Sequence, residues 1–192
     1  MSHYTYATLF CWLIMLLYWG YSSRNVKTAV YAQTTTSRYI YLAFLLLSFV
    51  IVYSPLFAIG PLGYQIIPVS RWSGLAGAAI TVAGIAFAIW ARKVLGDNWS
   101  GNVTLKKDHQ LVQSGPYRIV RHPIYTGFEW GLLGAAITVG QLKGFVGVGV
   151  ISLNHFYKTT MEEEILYEQF PEQYTEYAKR VKRLIPFIFN LF

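Results

Sequence analysis

His109-Gln-Leu-Val-Gln-Ser-Gly-Pro-Tyr-Arg-Ile-Val-Arg-His-Pro-Ile-Tyr-Thr-Gly127 is a polar, basic and aromatic stretch set between long apolar runs. Its nineteen residues hold two histidines, two arginines, two tyrosines, two prolines and two glycines. A plain connector between membrane-crossing helices has no physical need for that set. Pro123 lacks an N–H and has a fixed φ, so it suits the first turn of a helix. A helix starting there leaves free backbone N–H groups and a positive dipole end beside His122 and Tyr125, which suits an anionic group. The stretch reads as a ligand site at a membrane surface.

Apolar runs flank it on both sides. Tyr6 to Tyr21 ends in an interfacial Tyr-Trp-Gly-Tyr cluster. Tyr39 to Ile59 is long enough to cross a hydrocarbon core, with Pro55 bending or ending it near its far end. Ser73 to Val94 carries Gly74, Gly77, Ala78, Ala79, Ala83 and Gly84, small residues that permit close helix contact. Ile124 to Gly140 and Leu142 to Tyr157 are joined only by Gly140-Gln141, which predicts an antiparallel hairpin. Gly127 and Gly131 give the first of these two a small-residue face.

Five spans place the two termini on opposite sides, and the basic residues test that arrangement. Arg24, Lys27, Arg38, Arg92, Lys93, Lys106, Lys107, Arg118, Arg121, Lys158, Lys179, Arg180, Lys182 and Arg183 fall on one side. Only Arg71 and Lys143 fall on the other. The asymmetry marks the loop and the C-terminal tail as cytoplasmic and the N-terminus as external. It also assigns the net charge of +7 to topology and anionic headgroups, which excludes nucleic acid as the partner. Hydrophobic residues make up 54% and charged residues 13%, too few charges for an ordinary soluble surface. The lone Cys11 excludes an intrachain disulfide, and no Cys/His cluster has metal-ligand spacing, so no metal is expected. No Lys or Arg precedes the first run and no cleavage site follows it, so it reads as a retained span.

Beyond Tyr157 the pattern changes to Lys158-Thr-Thr-Met-Glu-Glu-Glu-Ile-Leu-Tyr-Glu-Gln-Phe170, a helix extending from the fifth span into the cytoplasm. Leu166, Phe170, Tyr174 and Tyr177 recur at helical steps and define an apolar stripe, interrupted by Pro171. Lys158 and Glu162 share a helical face with His155. Glu129 lies inside the fourth span, where an ionisable residue is either functional or paired within the bundle.

Leu111-Val-Gln-Ser-Gly-Pro-Tyr117, Arg121-His-Pro-Ile-Tyr-Thr-Gly127, Glu162-Glu-Glu-Ile-Leu166, Tyr174 through Val181 and Leu184-Ile-Pro-Phe187 follow one another in an order and spacing that resembles one family. It is the isoprenylcysteine carboxyl methyltransferases, with phospholipid N-methyltransferases as more distant relatives. The resemblance covers roughly residues 98–187, and the first two spans match only as generic apolar helices. It implies an all-α integral membrane enzyme, a single membrane domain over residues 1–192 with spans in 1–97 and a cofactor-binding half in 98–187. The implied architecture is five transmembrane helices, a cytoplasmic cofactor-binding loop and C-terminal helices, with S-adenosylmethionine used without a Rossmann domain. Carried over by position, the cofactor residues are Asn102, His109, Gln110, Leu111, Val112, Tyr117, His122, Pro123, Ile124, Tyr125 and Glu162. The substrate side takes Lys158, where the family usually has arginine, and Glu129 is a second substrate-side candidate. No catalytic acid or base is assigned.

The residues themselves are compatible with this. Tyr117 and Tyr125 can stack on adenine or face a sulfonium, the dipole end near Pro123 with His122 can hold a carboxylate, and Glu162 can accept from ribose or ammonium. The expected acceptor is a lipid-like molecule or lipidated substrate reached from the bilayer, and no obligate protein partner is inferred. A phospholipid amine acceptor, an NADPH-dependent sterol-type reductase and a non-catalytic membrane protein or transporter are the alternative readings.

Overall fold

In a computed structural model, residues 2–24, 29–32, 35–99, 104–106 and 111–185 are described. The chain order is α1 (His3–Ser22), β1 (Ala29–Ala32), α2 (Thr35–Tyr53), α3 (Arg71–Leu95), β2 (Thr104–Lys106), α4 (Pro123–Val139), α5 (Leu142–Gln169) and α6 (Pro171–Arg180). The expected helical architecture is present, with one addition: β1 and β2 pair as a short antiparallel ribbon, Ala32 opposite Thr104.

Local chemistry sets the helix limits. Ser2 accepts from the Thr5 N–H at the head of α1, and Ser70 and Ser73 form a reciprocal capping box on α3. Gly140 ends α4 at φ +73, and Leu142 begins α5, so the expected hairpin forms. The second apolar run ends at its proline, as expected. Its helix stops at Tyr53, because the Ser54 side chain accepts from Leu56 N–H and Pro55 starts a separate turn, Pro55–Phe57. The last long apolar run and the polar segment that follows it are one continuous 28-residue helix.

The centre of the bundle is a backbone-to-backbone contact between α3 and α4. A Cβ on Gly84 would lie 2.5 Å from Gly131 N and 2.6 Å from Gly127 O, and one on Gly77 2.5 Å from Gly134 O. Thr81 bridges the helices by donating to Gly77 O and Gly131 O, both at 3.0 Å. Small residues therefore act as the sequence implied, letting main chains meet. Around this pair Trp12, Met15, Val52, Ile85, Leu132 and Ile151 close the core, with α2 against α5 through Gly147.

Two of the basic residues counted for topology, Lys143 and Arg92, are buried. Lys143 is buried and donates to the carbonyls of Ile51 and Val52, closing the C-terminal end of α2. Arg92 is buried too, donating to Ser22 O and Gly96 O with its guanidinium 4.5 Å from the Trp99 ring. Among the described residues α3 is the one helix long and apolar enough to cross a membrane by itself; the apolar part of α2, Arg38–Tyr53, is shorter.

Candidate functional site

Pro116 and Tyr117 are buried in the turn Gly115–Arg118, and Gly115 takes φ +58 where the chain reverses against Val94. The Tyr177 phenol of α6 donates to Tyr117 O at 2.6 Å. The expected stripe appears as a small second core of Tyr174, Tyr177 and Ala178 against Leu111, Leu166 and Phe170. Residues 120–122 then run beside the C-terminal segment, with Val120 bridging Lys182, Arg121 N–H donating to Lys182 O and His122 N–H to Arg183 O. Thr126 donates to Leu184 O at 2.7 Å. The loop that opens α4 is thus clasped between α5, α6 and the chain beyond α6.

Glu163 is the hub of the clasp. Arg121 donates to it with both prongs, at 2.7 and 3.1 Å, Arg183 with two bonds at 2.6 and 3.0 Å, and His122 Nε2 at 3.1 Å. The sequence reading assigned Glu162 and passed over Glu163. Both sit on α5, but their partners lie about 20 to 42 residues away along the chain. His122 Nδ1 lies 3.4 Å from Glu162 Oε2, so the ring sits between two carboxylates, an arrangement that favours its protonated form. Burial disfavours that charge, but the hydrogen bonds to Glu162 and Glu163 outweigh it and raise the His122 pKa. Glu162 stays ionised: burial pushes its pKa up, His122 and Lys158 pull it lower, and the net shift is downward. The imidazole therefore orders two glutamates, and it is not placed to hold a ligand carboxylate itself.

Glu162 faces a cavity of about 950 Å³. Tyr125 donates its phenol to Glu162 at 2.6 Å, and its ring lies 6.0 Å from that of His122. Leu111, Val112, Tyr117, His122, Pro123, Ile124, Tyr125, Lys158 and Glu162 all line this one cavity, as the sequence reading requires. Asn102, His109 and Gln110 lie outside the described residues. Glu129 is not among the lining residues, being paired with His155 at 3.3 Å. Lys158 is buried, its ammonium 3.9 Å from the Tyr41 ring and 5.7 Å from the Tyr125 ring. Tyr41, Trp99 and Gln169 line the cavity and were not singled out from sequence. Gln169 lies seven residues after Glu162 on the same helix face, a spacing that was available to the sequence reading. Tyr41 sits in an undistinguished apolar run.

The cavity lining has two characters. The loop, α4 and α5 supply Tyr117, Tyr125, Lys158, Glu162 and Gln169, and α1 and α2 supply Met15, Leu16, Leu42, Leu45, Leu46 and Phe49. A molecule with a charged head and a long apolar tail matches both sets, and Lys158 lies 3.9 Å from the Tyr41 ring of α2 and 5.7 Å from the Tyr125 ring of α4.

The model of the phospholipid methyltransferase family matches residues 72–173. The chain is 33% identical over 120 residues to protein-S-isoprenylcysteine O-methyltransferase of Homo sapiens, covering 61% of this chain and 42% of that protein. It is 33% identical over 116 residues to the Saccharomyces cerevisiae protein of the same name, covering 58% and 48%. The chain thus spans less than half the length of these curated relatives. Its fold is similar to that of the solved eukaryotic intramembrane Ras methyltransferase ICMT (isoprenylcysteine carboxyl methyltransferase), with a TM-score of 0.60 and 24% identity, covering 78% of this chain and 53% of that one.

Proposed function

The chain belongs to the phospholipid methyltransferase family, and from that premise we propose that it is an integral membrane enzyme. It moves a methyl group from S-adenosylmethionine to the carboxylate of an isoprenylcysteine-like lipid. The observation that carries this reading is Lys158, a buried cation that lines the same cavity as Glu162 and the leucines of α2.

Membrane placement is supported by the inverted surface. Phe10, Leu13, Leu16, Leu17, Leu46 and Val50 on α1 and α2 are exposed, while Thr8, Ser48, Thr81, Asn154 and His155 are buried. A soluble protein does not carry so broad an exposed apolar face. We take α1 to α5 as five spans, with the N-terminus external and the loop and C-terminus cytoplasmic. Burial of Lys143 leaves Arg71 as the exposed basic residue of the external side.

The residues present fit S-adenosylmethionine. Gln169 Oε1 is a buried acceptor in the cavity wall without a partner among the described residues, matching an adenine amino or ammonium donor. When bound, the cofactor supplies an electrophilic methyl on a sulfonium. Glu162, fixed by Tyr125 and His122, offers its carboxylate to ribose hydroxyls or ammonium, and the faces of Tyr117 and Tyr125 suit a cation. Pro123 at the head of α4 leaves backbone N–H groups for the cofactor carboxylate. A carboxylate acceptor is already ionised at neutral pH, so the site needs positioning and water exclusion and no general base.

Calorimetry of the purified protein tests the cofactor. S-adenosylmethionine is expected to bind and NADPH not to bind, and Glu162→Gln should weaken S-adenosylmethionine by roughly 10-fold or more, the scale of a lost charge-assisted hydrogen bond. Binding of NADPH alone would favour a sterol-type reductase.

Lys158 separates the acid from a lipid amine. A buried ammonium attracts a carboxylate and repels a protonated amine. Lys158→Ala should lower kcat/KM on a prenylcysteine acid by about 10-fold or more, while leaving S-adenosylmethionine affinity nearly unchanged. Lys158→Arg should retain activity or raise it, through its two-pronged geometry. An alanine variant fully active on the acid would remove Lys158 from the acceptor site.

A further inference from the structure

Behind the wall that holds Lys158 lies an ionisable pair with no part in the scheme above. Glu129 is on α4, one turn after Tyr125, and His155 is on α5, three residues before Lys158. His155 Nδ1 donates to Glu129 Oε1 at 3.3 Å, and the two side chains are 0% and 15% exposed. Neither lines the cavity, yet the rings around His155 all do: Tyr125 at 4.7 Å, Tyr41 at 6.2 Å and Phe128 edge-on at 6.2 Å. Tyr41 and Tyr125 are also the two rings that flank the Lys158 ammonium. His155 therefore forms the back of the slot in which Lys158 sits.

A shape-filling role does not account for this pair. An apolar pair would fill the same space without desolvating a carboxylate and an imidazole. Ionisable groups at such depth are rare because they are expensive there. His155 Nε2 has no partner among the described residues. The contact of Nδ1 with Glu129 fixes the orientation of the ring.

We propose that Glu129 and His155 are a positioning pair for the methyl acceptor: Glu129 fixes the tautomer and angle of His155, and His155 fixes the Tyr41–Lys158–Tyr125 slot. This rests on the acceptor reading given above. Loss of the imidazole strands the Glu129 carboxylate behind the slot, where it draws the Lys158 ammonium away from the cavity. Loss of the carboxylate frees the imidazole to turn, and Tyr125 loses its stacking partner.

The test uses the full chain in detergent with N-acetyl-S-farnesylcysteine as acceptor, measuring equilibrium binding of that acid, its KM and kcat, and S-adenosylmethionine affinity. His155→Phe and Glu129→Ala should each raise the acceptor KM by about 10-fold, with kcat and cofactor affinity changed by less than about threefold. Glu129→Gln, which still accepts from Nδ1, should stay within about twofold of wild type. The double variant Glu129→Gln/His155→Phe has no stranded charge but still lacks the imidazole, so its acceptor KM should stay at least about threefold above wild type. Unchanged KM in both single variants, or a double variant restored to the wild-type KM, overturns the pair's role and leaves the acceptor reading standing. Wild-type protein that binds no farnesylcysteine acid overturns the acceptor reading and this inference together.

Discussion

Glu163→Leu is expected to lower stability by about 3–5 kcal/mol, the cost of stranding buried charges by deleting their partner. Glu163 is 3% exposed and faces Arg121, Arg183 and His122. Its removal leaves those cations with no carboxylate inside the clasp, and the loop opening α4 loses its tie to α5. The thermal midpoint in detergent should fall steeply, and Glu163→Gln should fall less, since the amide still accepts one bond from Arg121. A midpoint unchanged by Glu163→Leu would mean that the clasp contributes nothing.

The same group gives stability a pH dependence whose direction is fixed. Burial alone would raise the Glu163 pKa, but hydrogen bonds from His122 and Arg121 hold it well below the usual carboxylate range. Its contribution is therefore complete above the unfolded value of about 4.3, and is lost as pH falls from there through the depressed folded value. His122 has the opposite sign. Its folded pKa is raised, so its contribution is complete below about 6.5 and is lost as pH rises through the folded value. Stability should be flat between these limits, with the acid limb weakened in Glu163→Gln.

Gly84→Leu should be the most damaging change in the bundle. Its Cβ would meet Gly131 N at 2.5 Å and Gly127 O at 2.6 Å, both backbone atoms that cannot turn aside. Separating α3 from α4 should cost on the order of 3 kcal/mol or more, and yield little monodisperse protein. Gly149 provides the contrast. A Cβ there meets nothing within 4 Å, so Gly149→Leu should behave as wild type in size-exclusion chromatography. Equal behaviour of the two variants would contradict the close α3–α4 contact.

What could be read from sequence follows from which forces act locally. Glycines at helical spacing marked the α3–α4 contact because only small residues let main chains meet, and Gly140-Gln141 left no room for anything but a hairpin. The block from Arg121 to Gly127 marked the cavity because so many polar and aromatic side chains are more than a plain connector needs. Long-range electrostatics was less legible. In a run of three glutamates nothing local tells that Glu163 would face Arg121 and Arg183. Lys143 looked like a loop charge because its acceptors, Ile51 O and Val52 O, belong to a helix end some ninety residues earlier. The stop of α2 was legible in Pro55: hydropathy continues through Leu56 to Ile59, whereas the backbone follows Ser54 and Pro55. Glu129 left two readings open, and its pairing with His155 appears only once α4 and α5 are side by side.

The most direct measurement is methyl transfer by the purified protein in liposomes, using S-adenosylmethionine labelled in its methyl group, with N-acetyl-S-farnesylcysteine and an aminophospholipid offered in parallel. The expected result is label on the farnesylcysteine as a base-labile methyl ester, abolished by Glu162→Ala, and no label on the phospholipid amine. Label on the amine alone, or no transfer to either acceptor by folded protein that binds S-adenosylmethionine, would contradict it.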